Sequence, residues 1–305
     1  MLNEFAKRFL SPLLSERGTS ETTETTMTET IPIALSAALL EITEMDVVRQ
    51  LVRTYPFPGP GLVHRTPIVS KLTSESDNSL SNQAIDSGTY TGSPSNATAS
   101  THGTTVFLKE IAMLGSVDDL MAMAGQLIGQ SVGTVIDSDI CALFSSFTQN
   151  EGAANTAMVP SDLLDAYNFL RGQMAPLPYY LVLHPGHIWS SKGLTAWFSN
   201  TADANHFATS GGVGSVAEDI MRNGFSGMVF GFNVFADTNV TVTSRDASGA
   251  AFSRDGIKYV EKRPFRIDVL YNGPEVGWQV SGTEVHGEAI LKNNFGDEML
   301  FLTAA

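Results

Sequence analysis

The sequence predicts an α+β fold, and three features of its 305 residues support that class. Apolar residues recur every three or four positions from Ser116 to Phe147, which is the period of one long helix. A second helix, Pro160 to about Met174, precedes the apolar stretch Pro178–His184, a pattern typical of a buried strand. From Val240 to Thr303, short strand-like segments are separated by turn residues.

The composition narrows the possible functions. The chain has 18 Lys and Arg against 32 Asp and Glu, a net charge of −14, and only 16% of its residues are charged. An average domain has roughly 25% charged residues, so Ser and Thr, or other chains, must cover much of this surface. Phosphate binding needs a concentrated patch of Lys and Arg, so the excess of acidic residues argues against a protein that binds nucleic acid tightly. The single cysteine, Cys141, excludes an intrachain disulfide.

No membrane span is expected from the sequence. The longest apolar stretch, Ile31–Leu40, has about ten residues, fewer than the roughly 20 that cross a bilayer. Met1–Glu16 has no unbroken apolar core and no small-residue cleavage site. We therefore expect a soluble, intracellular protein.

The N-terminal segments need partners. Gly18–Thr30 offers almost no apolar side chain to bury, so on its own it should be disordered. Ile33–Thr54 is predicted as an amphipathic helix that ends at the prolines and glycines of Tyr55–Gly61. Its apolar stripe consists of Leu35, Leu39, Ile42, Val48, Leu51 and Val52.

A long polar segment follows the predicted N-terminal helix. Strands are predicted at Leu62 to about Leu72 and at Thr104–Ala112, and Thr73–Gly103 between them is rich in Ser, Thr, Gly and Asn. A loop of this length is unusual inside a compact domain. The two flanking strands therefore predict a protruding hairpin arm.

The long helix and the segments after it form the rest of the chain. Ser116 and Asp119 resemble a capping box, and at about 1.5 Å per residue the helix would span about 45 Å. Short helices are predicted near Ile188–Phe198 and Val216–Asn223. The strand candidates are Met228–Phe235, Val240–Ser244, Ala250–Phe252, Gly256–Glu261, Arg266–Tyr271, Val285–Lys292 and Glu298–Thr303.

None of the motifs with catalytic potential is convincing. His184 and His187 are spaced like half of a metal site, but a strand-end turn explains them better because no carboxylate partner is apparent. Gly211–Gly214 lacks the residues of a phosphate-binding loop, and Ser226 does not fit a nucleophile elbow. Four carboxylates are predicted to cap the long helix or lie on its solvated face: Asp118, Asp119, Asp137 and Asp139. We predict no catalytic residue, no metal site and no cofactor.

Four stretches, in this order, resemble the HK97-type major capsid protein of tailed bacteriophages, and the resemblance covers about residues 31–305. They are Thr105–Phe144, Asp162–Gly193, Ala217–Val240, and the closing strands within Ala250–Leu302. None is specific alone, and their order carries the resemblance.

The resemblance implies an HK97-like fold with an N-arm, an E-loop hairpin, a peripheral domain with a long spine helix, and an axial domain. The expected boundaries are 1–60 for the N-arm, 61–112 for the E-loop, 113–158 for the spine-helix part of the peripheral domain, 159–250 for the axial domain and 251–305 for the closing peripheral strands. Met1–Leu14 could be a removable scaffolding segment, a host-membrane peptide or part of the N-arm.

The resemblance also implies inter-subunit contacts. From the E-loop, they would be made by Arg65, Lys71, Glu75, Asp77, Ile85 and Tyr90. From the N-arm, they would be made by Leu35, Leu39, Ile42 and Arg49. Some such shells join an E-loop Lys to an Asn of a neighbour, but Leu72–Gly103 contains no Lys, so we expect a noncovalent shell.

The expected function is a major capsid protein that self-assembles into pentamers and hexamers of an icosahedral head around double-stranded DNA. Expected partners are other copies of the chain, a portal protein, a scaffolding protein, a decoration protein and the packaged DNA, which is held without sequence-specific binding. The protein would be assembled in the host cytoplasm and found in the virion capsid. One alternative keeps the fold and makes an encapsulin-like compartment, and a more distant one is a surface or tail adhesin or a hydrolase.

Overall fold

The structure is a computed structural model that describes residue 38, residues 47–69, 92–116 and 119–189, residue 194 and residues 227–303. Its helices are α1 (Glu110–Gly115), α2 (Leu120–Ala142), α3 (Pro160–Gly172) and α4 (Pro185–Trp189). Short 3₁₀ turns lie at Phe144–Ser146 and Asn293–Phe295.

Thirteen strands are found among these residues. In the first part of the chain they are β1 (Arg53–Pro56), β2 (Val63–Val69), β3 (Gly92–Thr98), β4 (Ser100–Lys109), β5 (Asn150–Gly152) and β6 (Tyr179–Leu183). In the C-terminal part they are β7 (Met228–Val229), β8 (Phe232–Ala236), β9 (Val242–Thr243), β10 (Asp246–Ser253), β11 (Ile257–Asn272), β12 (Gly277–Ile290) and β13 (Gly296–Leu302).

The strands form three sheets. A four-stranded sheet has the order β1-β11-β12-β4, and β1 runs parallel to β11. A seven-stranded sheet has the order β5-β13-β10-β6-β8-β7, with β9 paired to β10. The third sheet is the antiparallel pair β2-β3. Mixed sheets combined with helices confirm the predicted α+β class.

The central strands of the seven-stranded sheet separate two apolar cores. Because side chains alternate along a strand, Phe252 of β10 enters one core and its neighbour Ala251 enters the other. Val182 and Leu181 of β6 divide in the same way. Both faces of these strands are therefore buried, which explains why Pro178–His184 has no polar face.

The long helix is shorter than the sequence predicts. Asp119 caps its first turn, because its Oδ1 accepts hydrogen bonds from the amides of Met121 (3.0 Å) and Ala122 (3.2 Å). The capping role predicted for Asp119 is confirmed. Ser116 directly follows α1 and does not cap the long helix, so the capping box predicted for Ser116 and Asp119 is wrong. The long helix ends at Ala142, just before the 3₁₀ turn Phe144–Ser146.

The apolar stripe of α2 is buried as its spacing predicts. Ile128, Ile136 and Ile140 are fully buried, and Ile136 and Ile140 belong to the first core. By length and composition alone, Leu120–Ser146 could cross a membrane, with a mean hydropathy of 1.3. Half of that window is buried inside the protein, and core helices of soluble proteins pass the same test, so the segment is weak evidence for a span.

The chain divides into two compact units. The smaller contains Met1–Glu41, Gly103–Ser131 and Arg266–Gly282, and the larger contains Ile42–His102, Val132–Phe265 and Thr283–Ala305. In the smaller unit, Gly129 of α2 faces the backbone of Ala38 so closely that any Cβ at position 129 would collide with it. Both apolar cores lie in the larger unit.

The pairing of the hairpin corrects one prediction. The sequence suggested Thr104–Ala112 as the return strand, but the partner of β2 is β3, whose sequence is GSPSNAT. This stretch has no large apolar residue, so nothing in it predicts a strand. Residues 104–109 belong instead to β4 of the four-stranded sheet, and Glu110–Gly115 is helical.

Most other elements agree with the sequence. The helix at Pro160 begins with the Asp162 carboxylate accepting a hydrogen bond from the amide of Val159 (2.9 Å). The two strands predicted at Gly256–Glu261 and Arg266–Tyr271 form one 16-residue strand, β11, that runs through Pro264. The predicted Val216–Asn223 helix and most of Ile188–Phe198 lie outside the described residues.

Candidate assembly surfaces

The β2-β3 hairpin is mostly exposed to solvent. In β3 only Ser95 and Ala97 are buried, and Leu62 and Val63 at the start of β2 are 57% and 43% exposed. A two-stranded ribbon is marginally stable by itself in water. The hairpin must therefore be held at its base, by its own chain, by another chain or by both.

Lys258 of β11 holds the base of the hairpin. Its buried ammonium group donates hydrogen bonds to the carbonyl oxygens of Ser95 (2.7 Å) and His64 (3.3 Å) and to the hydroxyl of Thr66 (3.2 Å). The three acceptors come from both strands of the hairpin. Burial lowers the pKa of Lys258 to about 8.

Two further contacts bring β12 against β3. The Ser95 hydroxyl donates to the carbonyl oxygen of Ile290 at 2.7 Å. Gly287 lies against the backbone of Thr98, where any Cβ would overlap the Thr98 carbonyl. The base of the hairpin is thus fixed by the close contact between the backbones of β3 and β12 as well as by the hydrogen bonds of Lys258.

Of the six predicted E-loop residues, the structure describes one. Arg65 is exposed in β2, opposite Asn96 in the register. The others lie outside the described residues: Lys71, Glu75, Asp77, Ile85 and Tyr90. Their inter-subunit contacts remain predictions.

The end of the predicted N-terminal helix differs from the sequence expectation. Residues 47–52 form a turn, and Arg53–Pro56 is a strand parallel to β11. Val48, Leu51 and Val52 are buried in the first core of their own chain. The stretch after residue 46 therefore belongs to the folded body. The arm residues Leu35, Leu39 and Ile42 lie outside the described residues.

A buried carboxylate fixes this turn. Asp137, predicted on a solvated face, is fully buried, and its Oδ2 accepts a hydrogen bond from the amide of Val47 at 2.8 Å. Its Oδ1 accepts from the amides of Val48 (3.2 Å) and Arg49 (3.4 Å). The prediction that Asp137 lies on a solvated face is wrong. The spacing of apolar residues along α2 does not show that the turn at residues 47–49 packs against this side of the helix and needs an acceptor for its amides.

Arg49 makes its described contacts within its own chain. Its guanidinium lies 3.6 Å from Glu261 Oε2, 3.9 Å from Glu284 Oε1 and 4.9 Å from the centre of the Tyr259 ring. The Tyr259 hydroxyl donates to Glu284, and burial, followed by the Glu284 charge, raises the pKa of Tyr259. A role for Arg49 between subunits stays a prediction.

Exposed apolar residues mark surfaces suited to other chains. In the smaller unit, no residue of α1 is buried, and Ile111 and Leu114 are 77% and 81% exposed. Leu127, Leu270 and Val276 of the same unit are also exposed. Large apolar side chains this exposed favour a contact with another chain where they adjoin one another. In the larger unit the exposed apolar residues include Val159, Leu164, Met174, Leu177, Trp189 and Met228.

The two histidines first considered as half of a metal site, and the single cysteine, make contacts within the fold. Buried His187 is hydrogen-bonded through Nε2 to the carbonyl oxygen of Phe301 (2.9 Å), and His184 Nδ1 accepts from the amide of Gly186 (3.1 Å). The Cys141 thiol is buried against Asp237, and burial raises its pKa far from that of a reactive thiol. Gly211–Gly214 and Ser226 lie outside the described residues.

Comparison with solved structures identifies the fold. The capsid structure of the cyanophage P-SCSP1u matches 85% of this chain and 89% of its own, with a TM-score of 0.63 and 13% identity. A chain of Mycobacterium phage Che8 matches 79% of this chain and 85% of its own, with a TM-score of 0.58 and 15% identity. The chain has the HK97-type capsid fold. The predicted fold is thereby confirmed.

The same fold extends beyond these phages. A virus-like particle from Pyrococcus furiosus matches 88% of this chain and 98% of its own, with a TM-score of 0.56 and 9% identity. No protein-family model and no curated protein matches the chain. The HK97-type fold is thus recognised here through three-dimensional shape and the order of elements.

Proposed function

We propose that this chain is the major capsid protein of a tailed bacteriophage, which self-assembles into pentamers and hexamers of an icosahedral head enclosing double-stranded DNA. The observation that carries the proposal is the HK97-type fold, shared over 85% of the chain with a phage capsid structure. Its role is structural, and it has no catalytic step.

The mechanism is geometric. The hairpin formed by β2 and β3 extends across an adjacent subunit. Its anchoring by Lys258 supports this, because an arm that contacts a neighbour must itself be fixed to its own subunit. The N-arm lies beneath a neighbour. Exposed apolar residues such as Ile111 and Leu114 become buried between subunits, which is also why so small a fraction of the chain is charged.

The partners follow from this role. Each subunit contacts other copies of itself, the head also contains a portal protein, and assembly uses a scaffold that is either a separate protein or a short segment of this chain. A decoration protein is an optional further partner. Assembly takes place in the host cytoplasm, and the protein ends in the virion capsid. The segments given by the resemblance are proposed as the N-arm, E-loop, peripheral and axial parts of this subunit, with two changes: the N-arm ends before residue 47, and the E-loop hairpin ends with β3 at Thr98.

Electron microscopy of the purified chain, with light scattering for mass, tests the proposal. Closed shells, tubes, or rings of five and six subunits are expected. A uniform monomer or dimer that persists with crowding agents and with added scaffold would overturn it.

An encapsulin-like shell, which has a related fold, is the second candidate and is less favoured, because the matched structures include several phage capsids. The contents of particles from the native source separate the two. Double-stranded DNA inside supports the phage head, and a folded protein cargo without DNA supports the compartment.

A further inference from the structure

Three potential metal ligands meet in the larger unit. His102 comes from β4, Asp139 from α2 and His286 from β12. Asp139 Oδ2 lies 3.7 Å from His102 Nδ1 and 3.5 Å from His286 Nε2, and the three ligand atoms all lie within 4.8 Å of one another. Among the described residues this is the one group of three such side chains. Residues far apart in sequence thus present two nitrogens and one oxygen to a common point.

The buried member of the group lacks a hydrogen-bond partner. The His286 side chain has no exposed surface, and within the described part of the chain neither of its ring nitrogens makes a hydrogen bond. Asp139 Oδ2 is also buried and has no hydrogen-bond partner within the same described residues. Buried polar atoms are nearly always paired, so two unpaired atoms facing each other at 3.5 Å indicate a ligand that satisfies both.

The surrounding groups are arranged as outer partners of metal-binding imidazoles. The Ser100 hydroxyl is 2.6 Å from His102 Nε2, which leaves Nδ1 of that ring directed at Asp139. Glu284 Oε1 lies 3.9 Å from Nδ1 of His286, on the far side of the ring from Asp139. An oxygen hydrogen-bonded to the second nitrogen fixes the tautomer that ligates through the first, as Ser100 does for His102. Glu284 is too far from His286 for a hydrogen bond, and its carboxylate acts there only as a nearby charge.

The His102 and His286 rings are stacked face to face. Their centroids are 4.3 Å apart with an angle of 18° between the planes. Since a metal ion lies in the plane of each imidazole that binds it, one of the two rings must rotate out of this stack for both to bind one ion near Asp139.

We propose that His102, Asp139 and His286 bind one divalent transition-metal ion, with zinc as the best fit. Two imidazoles and a carboxylate suit Zn²⁺, and a water molecule completes four-coordination. In a tetrahedral site with bonds of about 2.0–2.1 Å, ligand atoms stand about 3.3 Å apart, which is close to the 3.7 and 3.5 Å between Asp139 and the two histidines. Ion binding also requires the rotation of one imidazole out of the stack.

The ion would link three elements near the hairpin. His102 lies four residues after β3 ends at Thr98, so the ion holds the return of the hairpin to α2 and β12. The ion would thus fix the segment that follows the hairpin, whereas Lys258 fixes the strands β2 and β3 themselves. The site does not depend on the proposed capsid function, since all three ligands belong to one chain.

Zinc titration by calorimetry tests the site, using the full chain freed of metal with EDTA and returned to chelator-free buffer. The wild type is expected to bind one Zn²⁺ per chain. His102→Gln and Asp139→Asn each remove one ligand and are expected to weaken binding at least about 100-fold, and Ser100→Ala about tenfold. His184→Gln removes an imidazole elsewhere and is the matched control, with unchanged binding.

A second readout excludes adventitious binding at the surface. Cobalt-substituted wild type is expected to show the visible absorption of a four-coordinate Co²⁺ ion, and His102→Gln to lose it. His102 and Asp139 are 24% and 32% exposed, so these variants test the site even if His286→Gln fails to fold. Absence of stoichiometric binding in the wild type, or binding lost in His184→Gln and kept in His102→Gln, would overturn the proposal.

Discussion

At the scale of the residue, Asp137 is the group on which the turn before β1 depends most. It is fully buried and accepts three backbone hydrogen bonds from Val47, Val48 and Arg49. Asp137→Ala leaves those amides without their acceptor, so the free energy of unfolding should fall by about 3 kcal/mol or more. Urea denaturation of the wild type and the variant measures this difference in the free energy of unfolding. Asp268→Ala, at an exposed ion pair with Arg266, should change nothing, and equal stability of the two variants would contradict this role.

A second buried carboxylate makes stability depend on pH. Neither oxygen of Asp297 in β13 has a hydrogen-bond partner among the described residues, and burial, followed by the Glu151 and Glu298 charges, raises the pKa of Asp297 to about 7. Unfolded Asp titrates near 3.9, so between about pH 4 and 7 the folded protein holds a proton that the unfolded chain has lost. The free energy of unfolding therefore falls as pH rises through this window.

Asp297→Asn removes that titration. The variant should gain stability over the wild type as pH rises from about 4 to about 7, and keep the gain above it. Urea denaturation of both proteins across this range gives the difference, with Asp268→Asn as the exposed control. A difference that is constant with pH would show that Asp297 is ionised in the folded protein.

At the scale of the element, the sequence predicts best where one segment decides its own structure. The stripe of α2, the helix at Pro160 and the apolar strand β6 each carry their own periodicity, and all three form close to the expected positions. β3 carries no such pattern and becomes a strand only because β2 pairs with it. The anchoring by Lys258 and the grouping of His102, Asp139 and His286 were also missed, because residues 37 or more apart meet only in the folded chain. The one sequence feature that could have indicated the anchor is Lys258 itself, an isolated Lys within the apolar stretch Ile257–Val260 of β11.

The anchoring of the hairpin leads to a prediction about its motion. Lys258→Met removes all three hydrogen bonds to β2 and β3, so the amides of these strands should exchange with deuterium at least about tenfold faster, which corresponds to about 1.4 kcal/mol. Amides of β10 and β13 should be unaffected. Lys262→Met, which loses a bond to the Gly59 carbonyl, is the matched control. Unchanged exchange in β2 and β3 would mean that the hairpin is held by other contacts.

Arg65 tests whether the hairpin works between subunits. It is exposed in β2 and belongs to no described ion pair, so Arg65→Glu should leave the melting temperature of the unassembled subunit unchanged. If the hairpin lies on a neighbour, reversing this charge should reduce the yield of assembled particles at least about tenfold, because like charges across an interface are costly. Particle yield is measured by sedimentation. Arg254→Glu, exposed in the turn after β10, should assemble normally, and normal assembly of Arg65→Glu would remove Arg65 from the contact set.

At the scale of the whole molecule, charge determines how the protein meets DNA. In the proposed head, the net charge of −14 per subunit is multiplied, and a surface of the same sign as DNA would let a packaged genome enter and leave without adhering. Assembled particles mixed with duplex DNA in about 0.15 M salt should therefore give no gel shift, whereas a basic DNA-binding protein does. A shift that weakens as salt rises would reveal a patch of Lys and Arg that neutralises phosphates, since each such contact releases counterions. That result would contradict the repelling interior while leaving the fold and the assembly untouched.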